Sequence, residues 1–345
     1  MKKITLITIL LLLVFIGCIS ALSARRDVNR QNERPQWLIN PQSLYPESMY
    51  MIAIGEGDNR SRAEADAAAN LAKIFETRVE AEEIYQERYK EMISERSLQA
   101  EILTDIDRSV ALSASQTLYN IQYAESYTDD LGRTYVLAYI DRHRTADIYM
   151  NMIENHNQRI VSYLDRAENS DYILHRYAYW SAATVISTIN EDLLSQLQII
   201  APDYRSMIML DYDHNELLLD TRNLAHNLKF KINQQNDEHK RIYSVISELL
   251  TSHGFTIDEE GEVTIDYEVL LEDVDLQRTE KFVRWHLNIH MNDGEGRMVI
   301  THSQRGREGH INQPEAVARA YKAMEREIRQ DFNRKIFSYF DKLAN

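Results

Sequence analysis

Residues 145–225 contain almost no glycine or proline, and that stretch constrains the fold more than any other. Glycine and proline punctuate chains, so a long run nearly free of both is built of helices. Arg144 to Asp165 reads as one amphipathic helix. Ser170 or Asp171 can cap a second, which runs to Ile200 and stops at Ala201-Pro202-Asp203. Tyr172, Leu174, Tyr177, Trp180, Ala183 and Ile186 give this second helix a crowded apolar face. A third, weaker helix lies around His214 to Asn227. There is no repeat of about 34 residues of the tetratricopeptide kind, so residues 146–227 are expected to be a helical linker region built on a helical hairpin.

On either side the pattern is mixed. Ser48 to Ile54 is an apolar run bounded by Gly55-Glu56-Gly57, which favours a buried strand. From Asn59 to about Glu91, Ala63, Ala67, Leu71, Phe75 and Val79 share one helical stripe. Residues 92–118 fit a second helix or an amphipathic strand equally. Ile121 to Tyr127 and Thr134 to Asp141 flank the turn Asp129-Asp130-Leu131-Gly132 and read as a hairpin. Residues 35–145 are therefore expected to form an α+β domain. Residues 228–345 repeat the class in the order β-α-β-β-β-β-α. The strands are Leu228 to Ile232, Phe255 to Ile257, Val263 to Leu271, Phe282 to Met291 and Arg297 to Gln304, and a helix covers His239 to His253. A last helix opens with Pro314 at its first position and runs to Leu343. The fold class is α+β, with an antiparallel or mixed C-terminal sheet backed by two helices.

Composition removes whole classes. With 44% apolar residues, 10 Gly and 5 Pro in 345, the chain is neither collagen-like nor wholly disordered. Its single cysteine rules out a disulfide scaffold or a cysteine zinc site. A net charge of −15 argues against a nucleic-acid partner.

Lys2 and Lys3 precede an apolar run from Ile4 to Ile16. A membrane span needs about 20 residues, so this shorter run fits an export signal, residues 1–17. It ends in Phe15-Ile16-Gly17-Cys18, which resembles the lipobox of bacterial lipoproteins and contains the only cysteine. That resemblance implies cleavage before Cys18, which then carries the lipid. Phe15 and bulky Ile16 depart from the pattern. Ordinary cleavage near Ala21-Leu22-Ser23 and retention as an uncleaved anchor are the competing readings. Residues 18–34, with Arg25, Arg26, Arg30 and Arg34, read as a tether. Ile19 and Ser20 lack a retention aspartate, which by the same resemblance favours the outer membrane, periplasmic side.

Pro35-x-Trp37, the strand ending Ala53-Ile54-Gly55, the spacing Ala63-x3-Ala67-x3-Leu71 and Tyr135-Val136-Leu137-Ala138 before Asp141 resemble the Lpp-twenty family of bacterial envelope lipoproteins. The resemblance covers the N-terminal third. It implies a strand–long helix–hairpin module with a binding or assembly role in the periplasm, and it brings no catalytic residues.

Motifs for chemistry are sparse. Gly55-Glu56-Gly57 sits where a dinucleotide fingerprint would, but Arg60 replaces the third glycine, and Glu56 and Asp58 repel phosphate. A close strand–helix contact explains it better. His286 and His290 lie on an alternating run where four residues span about 13 Å, too far to share an ion. His302 and His310 add candidates across the turn. Asp258-Glu259-Glu260 and Glu272-Asp273-Asp275 lack calcium-loop spacing and read as solvated faces. Among 20 tyrosines, those around Tyr172, Tyr177 and Tyr179 suit an interface. No catalytic, cofactor or metal site is therefore assigned, and Cys18 is the one site residue. The expected partners are the membrane, through the lipid, and another envelope protein or cell-wall component. The competing reading is a periplasmic or secreted enzyme such as a hydrolase, because carboxylate pairs become visible only in a folded chain.

Overall fold

A computed structural model describes residues 34–74, 85, 87–90, 92, 118–237 and 239–345. Cys18, the signal and tether up to Glu33, the distal part of the first long helix and nearly all of the ambiguous stretch 92–118 lie outside these residues. The described chain clusters into two compact units. One takes residues 34–74, 118–149 and 196–206; the other takes 85–92, 150–195 and 207–345.

In the first unit a helical turn, Gln36–Ile39, buries Trp37. Strand β1 (Tyr50–Gly57), helix α1 (Arg60–Ala72) and strands β2 (Gln122–Thr128) and β3 (Thr134–Asp141) follow. The sheet order is β1-β3-β2, all antiparallel, with Tyr50 opposite Asp141 and Gly57 opposite Thr134. Asn59 caps α1 by accepting from the Arg62 N–H at 3.0 Å. The β2–β3 turn is set by Asp129, whose carboxylate accepts from the N–H groups of Leu131 and Arg133, and by Gly132 at φ +80°. Ala63, Ala67 and Leu71 are wholly buried. They can be, because a side chain at Gly55 would begin 2.1 Å from the Ala67 nitrogen and 2.4 Å from the Ala63 oxygen. Gly55 and Gly57 are the floor on which the helix rests.

Helices α2 (Arg142–Glu168) and α3 (Ile173–Ile200) form the expected helical hairpin. Residues 142–149 and 196–206 cluster with the first unit. There the Arg142 guanidinium donates to the carbonyls of Ile199 and Ile200, the last of α3, where cations are favoured.

The second unit holds α4 (His214–Asn227), β4 (Lys229–Gln235), α5 (Arg241–Ser252), β5 (Thr256–Ile257), β6 (Val263–Val274), β7 (Lys281–Asn292) and β8 (Met298–His310). Its sheet has the order β5-β4-β6-β7-β8 and is mixed, β4 running parallel to both neighbours. Alternation decides the faces: Ile265, Tyr267, Val269, Val283, Trp285, Leu287 and Ile289 are buried, and their even-numbered neighbours are not. Helix α5 starts on Asp237, whose carboxylate accepts from the N–H groups of Arg241, Ile242 and Tyr243 and from the Tyr267 hydroxyl.

The C-terminal helix departs from expectation. It begins at Gln313 with Asn312 as its cap, so Pro314 is second rather than first. It is also interrupted: α6 (Gln313–Glu327) passes through a π turn, Ile328–Phe332, into α7 (Asn333–Ala344). Apolar positions every four residues drift around a 3.6-residue helix, and a π turn absorbs that drift. Ile328, Phe332, Ile336 and Phe340 consequently all stay buried. Phe332 meets His302 of β8, whereas Phe340 packs on Tyr177 of α3 at 4.7 Å and Phe337 on His253 at 4.6 Å. The distal part faces different neighbours from the proximal part. Strands β6 and β8 also outrun their expected ends at Leu271 and Gln304. Gly306 and Gly309 let β8 continue, since Trp285 and Phe282 lay their rings where side chains would stand.

Candidate functional site

A cleft of about 700 Å³ in the second unit lies between the β7–β8 turn, the start of α3 and the end of α7. The turn is rigid. Asp293 accepts from the N–H groups of Glu295 and Arg297 and from the Arg297 guanidinium, at 2.8 to 3.0 Å, and Gly296 completes it at φ +76°. Burial alone would raise the Asp293 carboxyl, but these donors outweigh it and hold the group below its usual range. Arg297 also pairs with Glu295 at 2.8 Å.

Asp171 and Glu262 add two more carboxylates to the walls, while Ile173, Leu174, Val299 and Leu343 supply apolar surface. Tyr172 is 58% exposed and meets His175 edge-on. The Tyr339 hydroxyl is pushed up by burial and by the Asp293 charge. Of the four carboxylates only Asp293 is buried, and both its oxygens are engaged. Among the described residues no Ser, Thr or Cys lines the cleft. An apolar surface with fixed polar groups suits the holding of a ligand.

A second pocket of about 400 Å³ is lined by hydroxyls of Tyr177, Ser181, Thr184, Thr221 and Thr251. These are already engaged: Thr184 with Thr221 at 2.7 Å, Thr251 with the Ser247 carbonyl, and Ser181 with Arg88. Behind it, Arg88 is buried against Asp341 at 2.6 Å and stands over the Phe337 ring. A further buried network links Tyr89, His156, Asn190 and Tyr212. Burial, then the Arg159 charge, pushes the His156 imidazole down to about 3, so it is neutral.

The residues singled out from the sequence are dispersed. Cys18 lies outside the described residues. Gly55 and Gly57 are packing positions. His286 and His290 sit on β7, and among the described residues no group of three or more His, Cys, Asp or Glu is placed to hold a metal ion. Asp258 pairs with Lys229, Glu272 with Arg284, Asp273 with Gln313, and Asp275 with the Gln277 N–H. Of the three tyrosines, Tyr172 reaches the cleft, Tyr177 is buried, and Tyr179 lies under Arg166. Sequence reasoning read Asn292 to Gly296 only as a turn. Its signal was there, two acids within three residues ahead of Arg297, but nothing in the sequence brings the start of α3 to it.

No family model matches the sequence, and no curated protein matches it. Among solved structures it is similar to the secreted protein HP1454 from Helicobacter pylori, at 13% identity and a TM-score of 0.36, over 86% of this chain and 97% of that one. It is also similar to a minor lipoprotein from Acinetobacter baumannii, at 12% identity and 0.23, over 33% of this chain and 93% of that one. A third is lipoprotein GNA1162 from Neisseria meningitidis, at 9% identity and 0.22, over 29% and 96%.

Proposed function

We propose that this chain is a lipid-anchored bacterial envelope protein with a non-catalytic binding or assembly role on the periplasmic side of the outer membrane. One observation carries the reading: the only cysteine of 345 residues stands at position 18, directly behind a Lys-led apolar run and a glycine. The bacterial lipoprotein modification carries several acyl chains, and several hold a protein stably where one does so only marginally. Two features support the rest. Among the described residues the order β1, α1, β2, β3 fits the strand–helix–hairpin order that the Lpp-twenty resemblance implies. The cleft beside Asp293 combines apolar walls with carboxylates, of which Asp293 and Glu295 are held by Arg297, and such a lining supports a binding surface for another envelope component.

Cys18→Ala tests the anchor. The wild type should partition into detergent, and the variant should either turn soluble or stall as an uncleaved precursor. Normal cleavage with unchanged partitioning refutes lipidation. A pull-down from solubilised membranes with the cleft variant Tyr172→Ala tests binding. Recovery of the same partners at wild-type levels removes the cleft from the reading.

A further inference from the structure

The open face of the second sheet changes character towards the end where β6 stops and β7 starts. Cross-strand register places Val274–Phe282–Gly309 in the terminal row, Glu272–Arg284–Arg307 in the next and Leu270–His286–Arg305 in the third. Arg284 and Arg307 thus stand directly opposite each other, an arrangement of like charges that costs stability unless an anion shares them. Glu272 answers Arg284 at a long 3.4 Å. Among the described residues neither Arg305 nor Arg307 has an ion-pair partner, and Arg307 rests over the Phe282 ring. Glu268 stands on the same face one row further in, where the Asn288 amide donates to it at 3.4 Å. Asp273 and Glu308 project to the opposite face, where Asp273 holds Gln313, and Asp275 caps its own turn. Glu280 sits in the β6–β7 turn, outside the three rows. Leu270, in the third row, is more than a third exposed, as is Leu276 in the β6–β7 turn, and Ile311, just past β8, is 73% exposed.

We propose that this sheet end is a peripheral membrane contact that takes the anionic headgroups of phospholipids. Charge complementarity and exposed apolar surface meet at this end of the sheet. In a chain of net charge −15, Arg284, Arg305 and Arg307 share one face with the Phe282 ring and the exposed Leu270, and Leu276 and Ile311 are exposed in the segments that adjoin β6 and β8. Cationic groups attract a phosphate-bearing surface within a Debye length, and apolar side chains beside them enter the headgroup boundary. The inference rests on the envelope reading for the presence of a membrane, but not on the lipid.

The test therefore uses the chain from residue 18 onwards with Cys18→Ser, which leaves every described element intact and carries no acyl group. Cosedimentation with phosphatidylcholine vesicles, with and without phosphatidylglycerol, is measured at low and high salt. Binding should need phosphatidylglycerol and fade with salt. Each arginine near an anionic surface is worth about fivefold, so R305Q/R307Q should weaken binding about 25-fold at an unchanged melting temperature. Equal binding to neutral vesicles, or an unaffected R305Q/R307Q variant, overturns the proposal. So does displacement by inorganic phosphate at matched ionic strength, which marks a site for a free anion. Salt-sensitive self-association without vesicles, lost in the variant, assigns the face to a second copy instead. Failure of Cys18→Ala to change partitioning concerns the anchor and leaves these readouts untouched.

Discussion

Gly55→Ala adds one methyl group, and the structure makes its cost calculable. The new carbon would begin 2.1 Å from the Ala67 nitrogen, 2.4 Å from the Ala63 oxygen and 2.6 Å from the Ala67 Cα. All three are helix backbone, so no rotamer can relieve the clash. Ordinary contact begins near 3.4 Å, so α1 must retreat from β1 by about 1 Å. A gap of that size forfeits about a quarter to a half of the dispersion between the facing surfaces. Ala63, Ala67 and Leu71 lie fully buried there. Overpacking costs about 1–3 kcal/mol, and an obstruction made of backbone belongs at the top of that range. The unfolded chain pulls the other way, since replacing glycine by alanine on an unconstrained backbone stabilises by about 0.4–1 kcal/mol. The two effects differ in sign, which makes the test sharp. Urea unfolding should show a midpoint about 1 M lower or more at an unchanged slope. Gly294→Ala, whose nearest contact would be an ordinary 3.7 Å, is the control and should hardly move. A Gly55→Ala midpoint at or above that of the wild type refutes the docking argument.

Three further outcomes follow from the buried polar groups and the same helix contact. Asp341→Ala strands the buried Arg88 guanidinium and should cost about 3–5 kcal/mol by denaturant melts, most of it recovered in Arg88→Met with Asp341→Leu. His156, neutral in the fold with a pKa of about 3 against about 6.5 unfolded, binds a proton more readily in the unfolded chain; stability should fall with pH from about 6.5 downward. The loss should reach about 2 kcal/mol by pH 5, and His156→Gln should flatten that limb of the profile. His302, wholly buried with both ring nitrogens unpartnered and its pKa likewise lowered by burial, should add to the same limb. Ala67→Leu presses on the contact already strained in Gly55→Ala, so the double variant should lose less than the sum of the two when melted side by side.

The elements were legible where one period dominated. Ala63, Ala67 and Leu71 announced α1 and its buried stripe, and Asp129 with Gly132 announced the β2–β3 hairpin. The stretch nearly free of glycine and proline gave α2, α3 and α4 with ends within a few residues. What was illegible depends on contacts between distant positions. Strand β8 was expected to end at Gln304, yet it runs on through Gly306 and Gly309, where Trp285 and Phe282 on the neighbouring strand fill the space the glycines leave. A glycine ends a strand only when no cross-strand ring needs its place, and that depends on register.

The C-terminal helix carries the same lesson further. Its four-residue steps were visible in the sequence and, on an ideal helix, predict a stripe that wanders off the sheet. The chain resolves the conflict with a π turn at Ile328–Phe332, over the buried and unpartnered His302. Before that turn Tyr321 and Met324 are buried on α6, which packs on β7 and β8; after it Phe337 and Phe340 reach His253, Phe255 and Tyr177. One amphipathic pattern thus serves two contacts only because the backbone gives up an ideal turn between them. The cleft beside Asp293 inherits this. Tyr339 and Leu343 reach it from α7, and their angular position depends on the residue that the π turn inserts upstream. Such a site is set by a backbone irregularity about two to three turns away, and periodicity assumes that irregularity away from the start.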